Sequence, residues 1–350
     1  MALPVKLPWE LEEDILSRLP PQSLVRFRTV CKQWNSLLID KTFINNQVSR
    51  SRPQFIFLTR SKIYSIDIIN HSSTNPTIEL RKLPSSGFPS RDFLLIDPII
   101  TTCDELLFYN NRCWEIKTGL WNPWLRQVRW TEYENKELLR PGKVYKILGY
   151  LFYHYKVLAI YECGSHSLRI IDTPEDDTWP LTNTAKRSNV SLYHIRIFDF
   201  STENFKSFCL LPCQKNHHND ELILAVYKGD RFSLLKQSCE TREIGIWVTK
   251  ERISNNNGDG AGGEGVLWIK LMTLSTTNLP KLCGKVYDKD YGISYFIYEK
   301  TLFMCTGDDE FGLACIYIVR EDLCKKIQIS NIVHCCHCVY TPNLISVPLF

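Results

Sequence analysis

The sequence predicts a short module of three helices, residues 1–50, followed by a large all-β domain, residues 51–350, with a propeller as its architecture. Three observations carry this expectation. Apolar residues recur at helical spacing only between about residue 5 and residue 47. Beyond residue 54 they fall in short runs of Ile, Val, Tyr, Phe and Trp separated by Asn, Asp, Gly, Pro and Ser. Several of those run-and-turn segments also resemble one another.

The first helix is expected to run from Pro8 to about Leu19. Proline suits a first helical position because its missing N–H would have no partner there, and Glu10, Glu12, Glu13 and Asp14 place negative charge at the positive end of the helix dipole. Leu11, Ile15, Leu16 and Leu19 share one face, with Glu12, Glu13 and Ser17 facing away. Pro20-Pro21 ends the helix. From Gln22 to Leu38, the residues Leu24, Phe27, Cys31, Trp34 and Leu38 make a second stripe with a bend or break near Val30-Cys31. A unit of about forty residues buries too little surface to be secure alone. Leu7, Leu11, Leu16 and Leu24 exceed what three short helices can shield, so apolar surface should be left for another protein.

In the β part, related segments begin at Tyr64, Leu120, Val157, Ile195, Gly245 and Ala314, roughly 35 to 70 residues apart. The period overlaps that of propeller blades, whose sheets bury both faces against neighbours. The uneven spacing also admits a stack of two sheets. Ser254–Gly265, Ser85–Asp92 and Glu175–Thr184 have the composition of surface loops.

Lys plus Arg exceed Asp plus Glu by only 42 to 38, spread along the chain, so nucleic acid is not an expected partner. No apolar run is long enough to span a bilayer, and Met1–Glu13 lacks a secretory apolar core. No membrane partner is therefore expected. The 14 cysteines are scattered through a long chain, which fits a reducing compartment, cytoplasm or nucleus.

His334-Cys335-Cys336-His337-Cys338 has the residue types of a zinc site, but neighbours on a strand point to opposite faces. A buried strand is the expectation, with no metal and no cofactor. His217-His218 with Asp220 reads as a solvated turn, and Cys209, Cys213, Cys305 and Cys315 as small apolar packing groups. Trp114, Trp121, Trp124 and Trp130 should mostly pack within the β domain. No nucleophile elbow, phosphate loop, dinucleotide fingerprint or H-E-x-x-H is present.

The run Leu7-Pro8-Trp9-Glu10-Leu11 to Leu19-Pro20, followed by Leu24, Val30-Cys31-Lys32-Gln33-Trp34 and Leu37, resembles an F-box. The resemblance implies binding to a Skp-family adaptor and through it to a cullin scaffold. The positions that match are Leu7, Pro8, Leu11, Ile15, Leu16, Leu19, Pro20, Leu24, Val30, Cys31 and Trp34, of which Leu19 and Trp34, with Phe27, suit internal support. The remainder is similar to the F-box-associated domain of plant F-box proteins, through Cys103-Asp104, Trp121-Asn122-Pro123, Phe198-Asp199-Phe200, Ile246-Trp247-Val248 and Tyr340-Thr341-Pro342-Asn343-Leu344. Two departures stand out: Glu105 where a glycine is expected, straining a turn that wants positive φ, and Asn189–His194 in place of a glycine and an aromatic pair. Together the resemblances imply a non-catalytic substrate-recognition subunit of an SCF-type (Skp–cullin–F-box) ubiquitin ligase, its protein substrate unidentified. The alternatives are an adaptor-bound regulatory or diverged protein, and an enzyme built on the β domain.

Overall fold

The computed structural model describes residues 7–59, 62–84, 98–103, 105–111, 118–131, 146–152, 156–162, 167–171, 181–183, 193–215, 217, 219–252, 266–275, 278–282, 292–307, 313–333 and 335–347. The chain forms two compact units, Met1–Leu138 with Cys335–Phe350, and Leu139–His334.

The first unit opens with four helices, not three: α1 (Trp9–Ser17), α2 (Pro21–Phe27), α3 (Lys32–Leu37) and α4 (Lys41–Arg50). The second stripe does break at Val30-Cys31, and the Cys31 Sγ caps α3 by accepting the Trp34 N–H at 3.3 Å. The fourth helix was hidden because Phe43, Ile44 and Val48 are its only apolar residues. Its start is set by Asp40, whose carboxylate accepts the Phe43 N–H at 2.9 Å. Pro8 precedes α1 as its cap residue, while Pro21 holds the first position of α2.

Leu16, Leu24, Leu38 and Phe43 fill the centre of the helices together with Leu344 from the far end of the chain. Leu16 and Leu24, expected to leave surface for a partner, are thus fully buried. The reason is the shielding that three helices lacked: Phe43 of α4 and Leu344 close over them.

Two sheets follow in this unit. One holds β1 (Gln54–Leu58), β2 (Ile63–Ile69) and β3 (Thr77–Lys82); the other holds β4 (Pro98–Cys103), β5 (Leu106–Asn111), β6 (Thr118–Asn122) and β7 (Gln127–Thr131). Phe55, Ile56, Phe57 and Leu58 are all buried, so β1 is covered on both faces and reads as a continuous apolar run. At the edge, β3 is exposed and charged, and Arg81 grips Glu79 through two hydrogen bonds of 2.8 Å.

Among its described residues the second unit has four sheets: β8 (Lys146–Phe152), β9 (Lys156–Glu162) and β10 (Ser167–Ile170); β11 (Leu181–Asn183), β12 (Tyr193–Asp199) and β13 (Asn204–Leu210); β14 (Glu221–Tyr227), β15 (Arg231–Gln237), β16 (Ile244–Thr249) and β17 (Trp268–Leu274); and β18 (Ser294–Tyr298), β19 (Thr301–Gly307), β20 (Leu313–Arg320) and β21 (Leu323–Val333). Its main core joins Leu235, Ile244, Ile246, Leu302, Met304, Cys315 and Val319. The Tyr295 hydroxyl is buried there and bonds the Ser233 carbonyl at 2.9 Å and the Ile223 carbonyl at 3.1 Å.

The chain then returns to the first unit, where β22 (Cys336–Tyr340) pairs antiparallel with β1, Phe55 opposite Val339 and Phe57 opposite His337. Among the described residues there are six antiparallel sheets, five of consecutive strands each paired with its chain neighbours and one in which β22 joins the edge of β1–β3. This is the blade pattern of a propeller, and it replaces the two-sheet alternative. The repeated segments seen in the sequence are the last two strands of the sheets, β2–β3, β6–β7, β9–β10, β12–β13, β16–β17 and β20–β21. The three loops expected from composition, apart from Leu181–Asn183, lie outside the described residues.

Candidate functional site

With Leu16 and Leu24 turned inward, a different set of residues is left outside. Leu11 and Ile15 lie one helical turn apart on the same side of α1 and are 51% and 50% exposed, and Leu7, just ahead of the helix, is 51% exposed. Val30, between α2 and α3, is 61% exposed. Pro8, Pro20 and Cys31 are exposed as well. The sequence reading missed Ile39, which follows α3 and is also an exposed apolar residue. Its only signal was that it breaks the stripe ending at Leu38.

The face is held in shape from beneath. Leu19 and Trp34 are half-buried against the core, and the Trp34 ring meets Phe27 at a centroid distance of 5.5 Å. The indole N–H donates to Glu12 Oε2 at 2.9 Å, fastening α3 to α1. Glu12 therefore does not face away as its place on the helix suggested. Neither does Ser17, which is buried, donates to the Asp14 carbonyl at 2.8 Å and accepts from Arg50 of α4. Asp14 also pairs with Arg18 at 2.7 Å. These contacts fix the four helices to one another, so the exposed apolar residues stand on a braced module rather than a loose one.

The groups singled out in the β part are packed. Trp121 is buried, and Trp130 meets Tyr109 edge to face at 5.4 Å; Trp114 lies outside the described residues. His217 and Asp220 build a turn: Asp220, buried, accepts the Cys239 N–H at 3.0 Å, and His217 Nδ1 accepts the Asn219 N–H at 3.2 Å. His218 and His334 are outside the described residues. Cys336, His337 and Cys338 do lie on a strand, β22, with the His337 ring 5.7 Å from that of Phe57. Burial pushes the His337 pKa down to about 4 and raises those of the Cys335 and Cys338 thiols, Cys335 to about 12. Burial likewise raises Cys209 and Cys213 to about 11. Thiols so shifted carry almost no thiolate near neutrality and pack as apolar groups.

Glu105 has the positive φ that its turn was expected to demand, at 61°. Its carbonyl accepts the side-chain N–H of Asn343 at 2.6 Å, and that contact helps hold the strained residue in place.

A compact helical module with an outward apolar face, followed by antiparallel sheets in series, defines the class: an F-box protein with a propeller behind the F-box. The chain matches the F-box domain over residues 5–46 and the F-box associated beta propeller domain over residues 54–347, and it belongs to that family. It is similar to the protein SUPPRESSOR OF NIM1 1 of Arabidopsis thaliana, with 65% identity over 98% of this chain and 99% of that protein. F-box protein At3g17710 of the same plant is 49% identical over 98% of each chain. Among solved structures, TolB from Acinetobacter baumannii aligns with 83% of this chain and 66% of its own at 10% identity and a TM-score of 0.36, too slight a likeness to bear on function.

Proposed function

We propose that this chain is the substrate-recognition subunit of an SCF-type ubiquitin ligase. The outer face of α1 docks a Skp-family adaptor, which joins the chain to a cullin scaffold, and the propeller holds a protein substrate. The observation that carries the proposal is the stripe of Leu7, Leu11 and Ile15, left outside a core that is already filled. Exposed apolar residues on a rigidly braced module are the usual makings of a protein interface. The chain itself transfers nothing in this scheme. It supplies proximity, holding a substrate lysine near the loaded conjugating enzyme. Ten cysteines whose side chains are described carry thiols outside any disulfide, which fits a reducing setting, cytoplasm or nucleus.

The test is co-purification and titration of the full chain with a Skp-family adaptor. Leu11→Ala and Ile15→Ala should each weaken binding by about 2 kcal/mol, roughly 30-fold, with unchanged melting. Retention of full affinity by the double variant would overturn the assignment of this face. Leu16→Ala is a poor probe of the interface, because it hollows the core instead.

A further inference from the structure

The helices do not close their own core. Leu344, 2% exposed, sits among Leu16, Leu24, Leu38 and Phe43, and Leu125 packs against the same cluster from the turn between β6 and β7. Both leucines are held by one pair of buried side chains, Asn122 and Asn343, each wholly shielded from solvent. Asn122 Oδ1 accepts the Trp124 and Leu125 N–H groups at 3.0 and 3.2 Å. Its Nδ2 donates to Asn343 Oδ1 at 3.0 Å and to the Ile345 carbonyl at 2.8 Å, and Asn343 Oδ1 also accepts the Ile345 N–H at 2.9 Å. The Leu125 backbone is thus tied to one asparagine, and on either side of Leu344, Asn343 bonds Asn122 while Ile345 bonds both asparagines.

We infer that Leu344 and Leu125 are positioning residues for the F-box: set by the Asn122–Asn343 pair, they complete its core and fix it on the neighbouring sheets of the same unit. Four helices of 6 to 10 residues are below the length at which helices hold themselves in water. Their order therefore depends on tertiary contacts, and two of those contacts come from outside the module. Buried side-chain networks of this kind are stable only when every member is satisfied, so loss of one asparagine should release both leucines together. The consequence for adaptor binding rests on the proposed function: a partner that recognises folded helices must first order them if the leucines are lost, and its apparent affinity falls by the fraction still folded.

Hydrogen exchange on the full chain, free of adaptor, separates the two ideas. In Leu344→Ala the amides of α2 and α3 should exchange tenfold faster or more, while those of β15, β16, β19 and β20 keep their native rates. Leu344→Met, similar in volume, should restore protection. Leu125→Ala and Asn343→Ala should act in the same direction, and Leu125→Ala, at a half-buried site, serves if Leu344→Ala does not fold. Unchanged exchange in the helices of Leu344→Ala or Leu125→Ala overturns the inference, as does loosening that spreads equally to the second unit. Adaptor titration of the same variants should show affinity falling only as far as the folded fraction of the helices falls. A wild-type chain that ignores the adaptor sinks the proposed function but leaves the exchange result to stand.

Discussion

In β19 and β20, Thr301–Thr306 and Ala314–Val319 bury every side chain on both faces of the sheet. On α1, Leu16 is buried while Ile15 beside it and Leu11 one turn away stand half exposed. The same kind of residue meets opposite fates because the surroundings differ. A strand in the middle of a sheet has hydrogen-bonded neighbours on two sides and other layers over its two faces, so apolar residues can run without interruption. A short helix has one stripe to bury, and anything outside that stripe stays in water unless another chain covers it. Exposed leucine in the helices is thus a statement about partners, whereas buried leucine in the sheets is a statement about packing.

The sharpest test of this contrast uses two leucines of the helical module. Leu24→Ala should cost about 2 to 5 kcal/mol of stability, because it empties a filled core, while Leu11→Ala should stay within about 0.5 kcal/mol. Denaturant unfolding followed by helical signal would decide it, and equal losses would erase the distinction between the faces. Two-sided burial also has a cost, seen at His337. Its Nε2 is out of reach of solvent although the residue keeps some exposure, and its pKa is pushed down to about 4. The folded state therefore holds it neutral while the unfolded chain takes up a proton below about pH 6.5. The stability it permits is complete above that pH and declines as pH falls toward 4, by up to about 2 kcal/mol between pH 7.5 and pH 5. His337→Phe should flatten that slope, and an unaltered slope would assign the acid sensitivity elsewhere.

Smaller effects probe the turns. Glu105→Gly should stabilise the chain by about 1 kcal/mol or less, since glycine takes φ of 61° without strain but gains freedom when unfolded. A lower melting temperature would mean that the glutamate side chain has a role of its own. The least effect is expected from Glu203 in the second unit, which accepts from Arg169 and Lys146, contacts that hold its pKa near 2. Its contribution is present above about pH 4.5 and is lost as pH drops toward 2. Glu203→Gln should remove that acid-dependent part alone, as read by melting at pH 7 against pH 3.

Period and composition made the order of the parts legible: helices first, then strands whose repeated segments proved to be the closing pairs of the sheets. The positive φ at Glu105 was legible too, because the turn chemistry around Cys103-Asp104 is local. What could not be read was anything decided at long range. Leu16 and Leu24 match the F-box pattern as well as Leu11 and Ile15 do, and only the arrival of Phe43 and Leu344 sorts inside from outside. The fourth helix was missed for a related reason, since its start depends on the Asp40 cap more than on its sparse apolar stripe. Asn122 and Asn343 stood out in the sequence only as parts of a resemblance; their contact spans 221 positions.

That span has a consequence for how the molecule is made. At a synthesis rate of ~5 to 20 residues per second, the helices leave the ribosome some tens of seconds before Leu344 is added. Throughout that interval β1 also lacks β22. A nascent chain therefore displays its helices in an unfinished state, open to chaperones and proteases, and only a chain translated past Leu344 can seal them.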